Sequence, residues 1–211
     1  MLSRAEQSTA NASRSTQSAG APFGDIPPGF WAQSEVNALA GAGVCTGFSE
    51  GLYRPEWGVS RGDIAVYLAR ALAGSDAAVP APSGTPSFPD VPASDVAYKH
   101  VEYAAAKGIM HRQLDGLYHA ELLLDRARMA VFVARALAGG DDSVPEGPDT
   151  PTFPDVTSHP DDHHSSCYKH VEYLASRGVV RGYADGRYRP ELLCTRAQVA
   201  VFLARAFQLS Q

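Results

Sequence analysis

The chain has 211 residues, 45% of them hydrophobic, and a formal net charge of −5. That length allows one ordinary domain or a few small units sharing a core, and the apolar fraction is that of a globular protein. Dispersed basic residues in an acidic chain argue against nucleic acid as the main partner. No apolar run approaches a membrane span, which argues against insertion in a membrane. The three cysteines, an odd number, give no disulfide framework.

Residues 1–22 are rich in Ser, Ala, Gln and Asn and read as a disordered leader. This stretch lacks the apolar centre of a signal peptide. The expectation is therefore either a cytosolic chain or a piece of a larger secreted one.

Phe23-Gly-Asp-Ile opens a unit that returns at Phe88-Pro-Asp-Val and again at Phe153-Pro-Asp-Val, each 65 positions on. Val36, Val101 and Val171 match, as do Gly51, Gly116 and Gly186, and Arg61, Arg126 and Arg196. The Val and the Arg stand 25 positions apart in every copy. This registration predicts three tandem repeats at 23–74, 88–139 and 153–209, with linkers at 75–87 and 140–152. The third copy carries five extra residues between Val156 and Ser166. Units of this size bury too little surface to be secure alone, so the three are expected to share one core.

Each copy reads as two helices. The first spans about Trp31–Ala42, Val96–Lys107 and Ser166–Arg177, with Ala32, Val36 and Leu39 forming the buried stripe in copy one. Gly43, Gly108 and Gly178 suit the left-handed residue that ends such a helix. The second helix opens at the N-caps Ser60, Asp125 and Thr195. Thr195 with Gln198 is a standard capping box, Asp63 is an acidic relative, and Arg128 breaks the pattern.

Several residues with chemical potential have competing readings. His159, Asp161, Asp162, His163, His164 and Cys167 could hold a metal, or could form a solvated loop without pre-organisation; no metal or other cofactor is assigned. Cys45 and Cys194 align with apolar residues in sister copies and read as buried, inert thiols. His100 and His170 are expected on a helix flank, and Glu102 and Glu172 are expected to be solvated or structural. No acid pair stands outside the repeat scaffold, so no enzyme activity is expected.

These motifs resemble the S-layer homology domain family. The family pattern is an F-x-D-V opening, a W-A-rich first helix, a G-Y-x-D-G-x-(Y/F)-R-P loop and a T-R-A-E start to the second helix. Copy three has Gly182-Tyr-Ala-Asp-Gly-Arg-Tyr-Arg-Pro190 and Thr195-Arg-Ala-Gln198; copy one has Gly47-Phe-Ser-Glu-Gly-Leu-Tyr-Arg-Pro55 and Ser60-Arg-Gly-Asp63. The resemblance implies a mainly α fold of three helix–loop–helix repeats, a pseudo-threefold spindle around a central helical bundle. It also implies a monomer that anchors an exported protein, at the cell wall or S-layer, to a secondary cell-wall polysaccharide or peptidoglycan-linked glycan. Such glycans commonly carry pyruvate ketals, and the grooves that hold them lie between repeats.

On that resemblance the glycan-binding candidates are Arg61, Arg126 and Arg196, the aromatics Trp31, Tyr53, Tyr118 and Tyr188, and the loop residues Gly47 and Gly182. Arginine suits a ketal carboxylate because its donors form a planar fork. These arginines also begin a helix, where free amides would favour an anion. Equally, they could brace the repeat through loop carbonyls. Copy two departs most, with Arg112-Gln113 in place of Gly47-Phe48 and Gly182-Tyr183, and His119-Ala120 in place of Arg-Pro. A groove built mainly by that copy is expected to be the least secure. The alternative function is a protein–protein assembly module of the same fold.

Overall fold

The computed structural model describes residues 23–159 and 165–209. The leader and the centre of the His-Asp-rich insert, residues 160–164, lie outside the described residues. Six α-helices follow in chain order among those described: α1 Gln33–Gly41, α2 Arg61–Ala73, α3 Tyr98–Ala106, α4 Arg126–Ala138, α5 Tyr168–Ser176 and α6 Arg196–Ala206. A 3₁₀ turn at Ser165–Cys167 leads into α5. The helices thus come as three short–long pairs.

Local chemistry sets the ends. Ser60 with Asp63, and Thr195 with Gln198, close full capping boxes. Asp125 accepts from the amide of Arg128, so the cap survives there without the reciprocal bond. Gly43, Gly108 and Gly178 have φ of 69°, 67° and 69°, conformations that spare a side chain the left-handed penalty. The next residue folds back, Val44, Ile109 and Val179 donating to the carbonyls of Leu39, Ala104 and Leu174.

The packing order is cyclic. Helix α2 lies against α3, α4 against α5, and α6 returns to α1, so each long helix covers the short helix of the next pair. Helix α4 also meets α2 and α6. Residues 61–69 of α2 are buried on every side, as befits a central helix. Ahead of the long helices the loops close a ring of hydrogen bonds. Val59 donates to the carbonyl of Cys194 (3.2 Å), Cys194 to Leu124 (2.8 Å) and Leu124 to Val59 (2.9 Å). One apolar core runs through all three pairs, so no pair owns a complete interior.

The segments at 75–87 and 140–152 are strapped to this body. Val79 and Val144 are buried. Ser87 gives its amide and hydroxyl to Glu102, and Thr152 does the same to Glu172. Those two glutamates are therefore structural. His100 and His170 are buried rather than on a helix flank, because Asp76 and Asp141 from the straps meet their Nε2 atoms at 2.8 Å.

Candidate functional site: arginines at the repeat boundaries

Each long helix begins by sinking an arginine into the next helix pair. Arg61, Arg126 and Arg196 are only 4%, 3% and 4% exposed. Nε of Arg61 donates to the carbonyl of Tyr118 (2.8 Å), and Nη2 to that of His111 (3.0 Å). Arg126 makes the same bonds to Tyr188 (2.7 Å) and Arg181 (3.2 Å), and Arg196 to Tyr53 (2.7 Å) and Thr46 (3.0 Å). Each guanidinium lies over the ring of its tyrosine, 4.6, 4.3 and 4.4 Å from the centroid, a favourable cation–π distance. A buried charge needs such partners. Burial pulls the Arg61 pKa below its usual value, but an arginine starts so high that it stays charged.

The carbonyls that receive these arginines are held by the aspartates of the Phe-x-Asp openings. Asp25 accepts from the amides of Tyr53 and Arg54, Asp90 from Tyr118 and His119, and Asp155 from Tyr188 and Arg189, all at 2.6–2.9 Å. The second residue of each pair, Arg54, His119 or Arg189, has a left-handed φ of 56–58°. That conformation is costly for a residue other than glycine, and the carboxylate offsets the cost. Burial opposes the Asp90 charge, yet the two amides hold its carboxyl below the usual range.

The first-turn amides are not free for an anion. Arg61 and Gly62 donate to Leu122 and Ala120, Arg126 and Ala127 to Leu192 and Pro190, and Arg196 and Ala197 to Trp57 and Pro55. The N-cap side chains take the third amide of each helix. The expectation of an anion on open helix amides therefore fails, because the adjoining loop already fills that role.

The remaining guanidinium nitrogen, Nη1, distinguishes the three boundaries. In Arg196 it donates to the Tyr67 hydroxyl. Phe132 and Phe202 take the equivalent places, each 5.3 Å from Arg61 and Arg126, and a phenyl ring offers no oxygen. Among the described residues Nη1 of Arg61 and of Arg126 has no protein acceptor. Phe48 covers Arg196 and Tyr183 covers Arg126, both at 5.1 Å; the matching residue beside Arg61 is Gln113. A cleft of about 200 Å³ opens over Arg61, bordered by His111, Arg112, Gln113, Arg128, Phe132 and Arg135, with no carboxylate in its lining.

The S-layer homology domain model matches residues 22–65, 87–130 and 152–200, well over half of the sequence. The chain belongs to the S-layer homology domain family. It is similar to "Cell surface glycoprotein 1" of Acetivibrio thermocellus, 26% identical over 77% of this chain and 7% of that protein. It is 24% identical to the "Cellulosome-anchoring protein" of the same organism, over 77% of this chain and 35% of that one. To "S-layer protein EA1" of Bacillus anthracis it is 27% identical over 88% of this chain and 20% of the other. The chain thus spans about a third or less of the length of these relatives.

Within the three S-layer homology repeats, the arginines and tyrosines of the sequence pattern do meet, but across repeats. Tyr53, Tyr118 and Tyr188 are 1%, 0% and 0% exposed. They cannot offer a face to a sugar, because the arginine occupies one side and the core the other. Gly182 is small for packing: a Cβ there would lie 2.8 Å from the Phe153 ring and 2.9 Å from the Arg187 carbonyl. Gly47 is buried. Trp31 is 59% exposed, beside Phe30 and away from the cleft lining.

An open, basic cleft lies at the boundary whose loop comes from repeat two, where the sequence departs most from the family pattern. Sequence reasoning missed Asp25, Asp90 and Asp155, although their recurrence two residues after each opening phenylalanine was visible. It also missed the Tyr67-versus-Phe difference at positions 67, 132 and 202. Cys45 and Cys194 are buried as expected. Among the described residues no cluster could hold a metal; the proposed insert site falls largely outside them.

Proposed function

We propose that this chain is a non-catalytic, monomeric anchoring module that holds its parent protein to the cell envelope by binding an anionic wall polysaccharide between repeats. The observation that carries this reading is the Arg61 guanidinium, which lines a cleft with no carboxylate in its lining and whose Nη1 has no acceptor among the described residues. A charged donor of that kind, facing an open cleft from an otherwise buried side chain, favours an anionic oxygen. A pyruvate ketal supplies such a carboxylate on a sugar ring, and pyruvylated glycan is the ligand we assign. Relatives named as cellulosome-anchoring and S-layer proteins support an extracellular placement at the wall.

The arginine itself has two roles, brace and contact, so its removal would confound them. The boundary at Arg196 provides a gentler test. Phe132→Tyr with Gln113→Phe would give Arg61 the hydroxyl and ring cover that Arg196 has, and Phe202→Tyr would give Arg126 the hydroxyl. The wild-type protein should co-sediment with purified pyruvylated walls, and mild acid removal of the ketals should release it. The triple variant should fold and lose most of this retention. Full retention by walls stripped of pyruvate would overturn the ligand, and full retention of the triple variant would overturn the site.

A further inference from the structure

The cleft above Arg61 carries more charge than one carboxylate can neutralise. Arg128 faces Asp125 at 3.4 Å, and Arg135 is bound to Asp141 at 2.6 Å. Arg61 and Arg112 form no close ion pair with a carboxylate among the described residues, although Asp90 acts on Arg61 at longer range. Arg61 donates only to carbonyls, and Arg112 gives Nη2 to the Ser87 carbonyl at 2.6 Å. That single bond fixes the position of Arg112 and leaves its other donors unspent. The other two boundaries lack this arrangement, since Gly47 and Gly182 stand where Arg112 does. Asp63 and Gln198 replace Arg128 there, so the basic character belongs to the repeat one–two boundary.

We infer that this cleft selects a glycan segment with two acidic groups on adjacent sugar rings, Arg61 taking the first and Arg112 reading the second. The inference rests on the anionic-glycan reading above and deepens it. Arg61, almost fully buried, meets the acid that enters the cleft. Arg112, exposed at the rim, meets the acid on the ring that remains outside. A rim charge is screened by salt where a buried one is not, so the preference for the second acid should shrink as ionic strength rises.

The test is calorimetric titration of the whole chain with two disaccharides of the same size. Both carry one pyruvate ketal; the second ring is glucuronate in one and glucose in the other. Wild-type protein should prefer the glucuronate form by about tenfold, which is what one charge-assisted contact supplies. Arg112→Gln should reduce that preference to within about twofold by weakening the glucuronate form more than the glucose form, and Arg112→Lys should restore part of it. Arg128→Gln, whose native charge is already paired, should keep the preference. Equal binding of the two disaccharides by wild-type protein would overturn this inference and leave anionic-glycan binding standing. Binding of neither would overturn the underlying reading as well. A preference that survives Arg112→Gln, or that Arg128→Gln abolishes equally, would remove Arg112 from its role.

Discussion

The Tyr118 hydroxyl donates to the backbone carbonyl of Arg61 at 2.9 Å, while Arg61 Nε donates to the backbone carbonyl of Tyr118 at 2.8 Å. The two residues are 57 positions apart, each satisfying the other's main chain with its side chain. Tyr188 with Arg126, and Tyr53 with Arg196, repeat the exchange around the ring. The third exchange joins the last helix to the first loop, so the chain is closed on itself by a polar staple as well as by its core.

Two substitutions at Tyr118 separate the hydroxyl from the ring. Tyr118→Phe removes one buried donor and should cost about 1 kcal/mol. Tyr118→Ala also empties a fully buried site and strips the cover from Arg61, for a loss of about 3–5 kcal/mol. Urea unfolding should show both as shifts in midpoint with an unchanged slope. Equal losses would mean that the staple, not the packing, dominates.

The aspartate clamp predicts a loop-specific defect. Asp155→Ala strands the amides of Tyr188 and Arg189 and frees a residue held at φ of 56°. A bond to an ionised carboxylate contributes about 1.5–3 kcal/mol, so a destabilisation of that order is expected. Hydrogen exchange should report it first at Tyr188 and Arg189, ahead of the core of α5 and α6. A change of less than about half a kcal/mol would show that the loop holds itself.

Repeat number was legible from the period between copies, and helix order, N-caps and glycine caps from spacing within one copy. The pairing of Arg61 with Tyr118 was not, because it depends on which copy lies beside which. The sequence left each arginine open as a glycan contact or as a brace through loop carbonyls; the neighbouring loop does supply carbonyls and a ring, which make its burial tolerable. The tyrosines failed as sugar platforms for the same reason, since their faces are already spent on the arginines. His100 and His170 read as flank residues because their partners, Asp76 and Asp141, lie in segments that look like linkers. The open cleft was invisible until Phe132 and Gln113 could be compared with Tyr67 and Phe48 around the same guanidinium.

The cysteines should be silent. Cys45, Cys167 and Cys194 are buried thiols, and burial pushes the Cys194 thiol up to about 12. The thiolate is the reactive form, so a disulfide-exchange reagent at pH 8 should label none of them in the native protein. All three should react once the chain is unfolded in guanidinium. Stoichiometric native labelling would show that one of these sites opens readily.

Stability should fall as pH drops below about 6.5, in a way set by two buried histidines. In each, Nε2 faces an aspartate and Nδ1 is buried with no partner. A proton added at Nδ1 would have no acceptor. Arg70 and Lys99 also face the Asp76–His100 pair, and Arg135 and Lys169 face Asp141–His170. Burial lowers both histidine pKa values, outweighing the attraction of the aspartates. The unfolded chain, whose histidines titrate near the ordinary value of about 6.5, therefore binds more protons in this window. Stability is lost as pH falls through it. Burial opposes the Asp76 and Asp141 charges, but hydrogen bonds from the Lys, Arg and His around them hold both carboxyls well below the usual range. Their contribution persists until about pH 4 and is lost below it. The double variant His100→Gln with His170→Gln keeps a neutral donor for each aspartate and removes the titration. Urea midpoints measured from pH 7.5 to 5 should decline in the wild type and flatten in the variant. Parallel curves would place the pH dependence elsewhere.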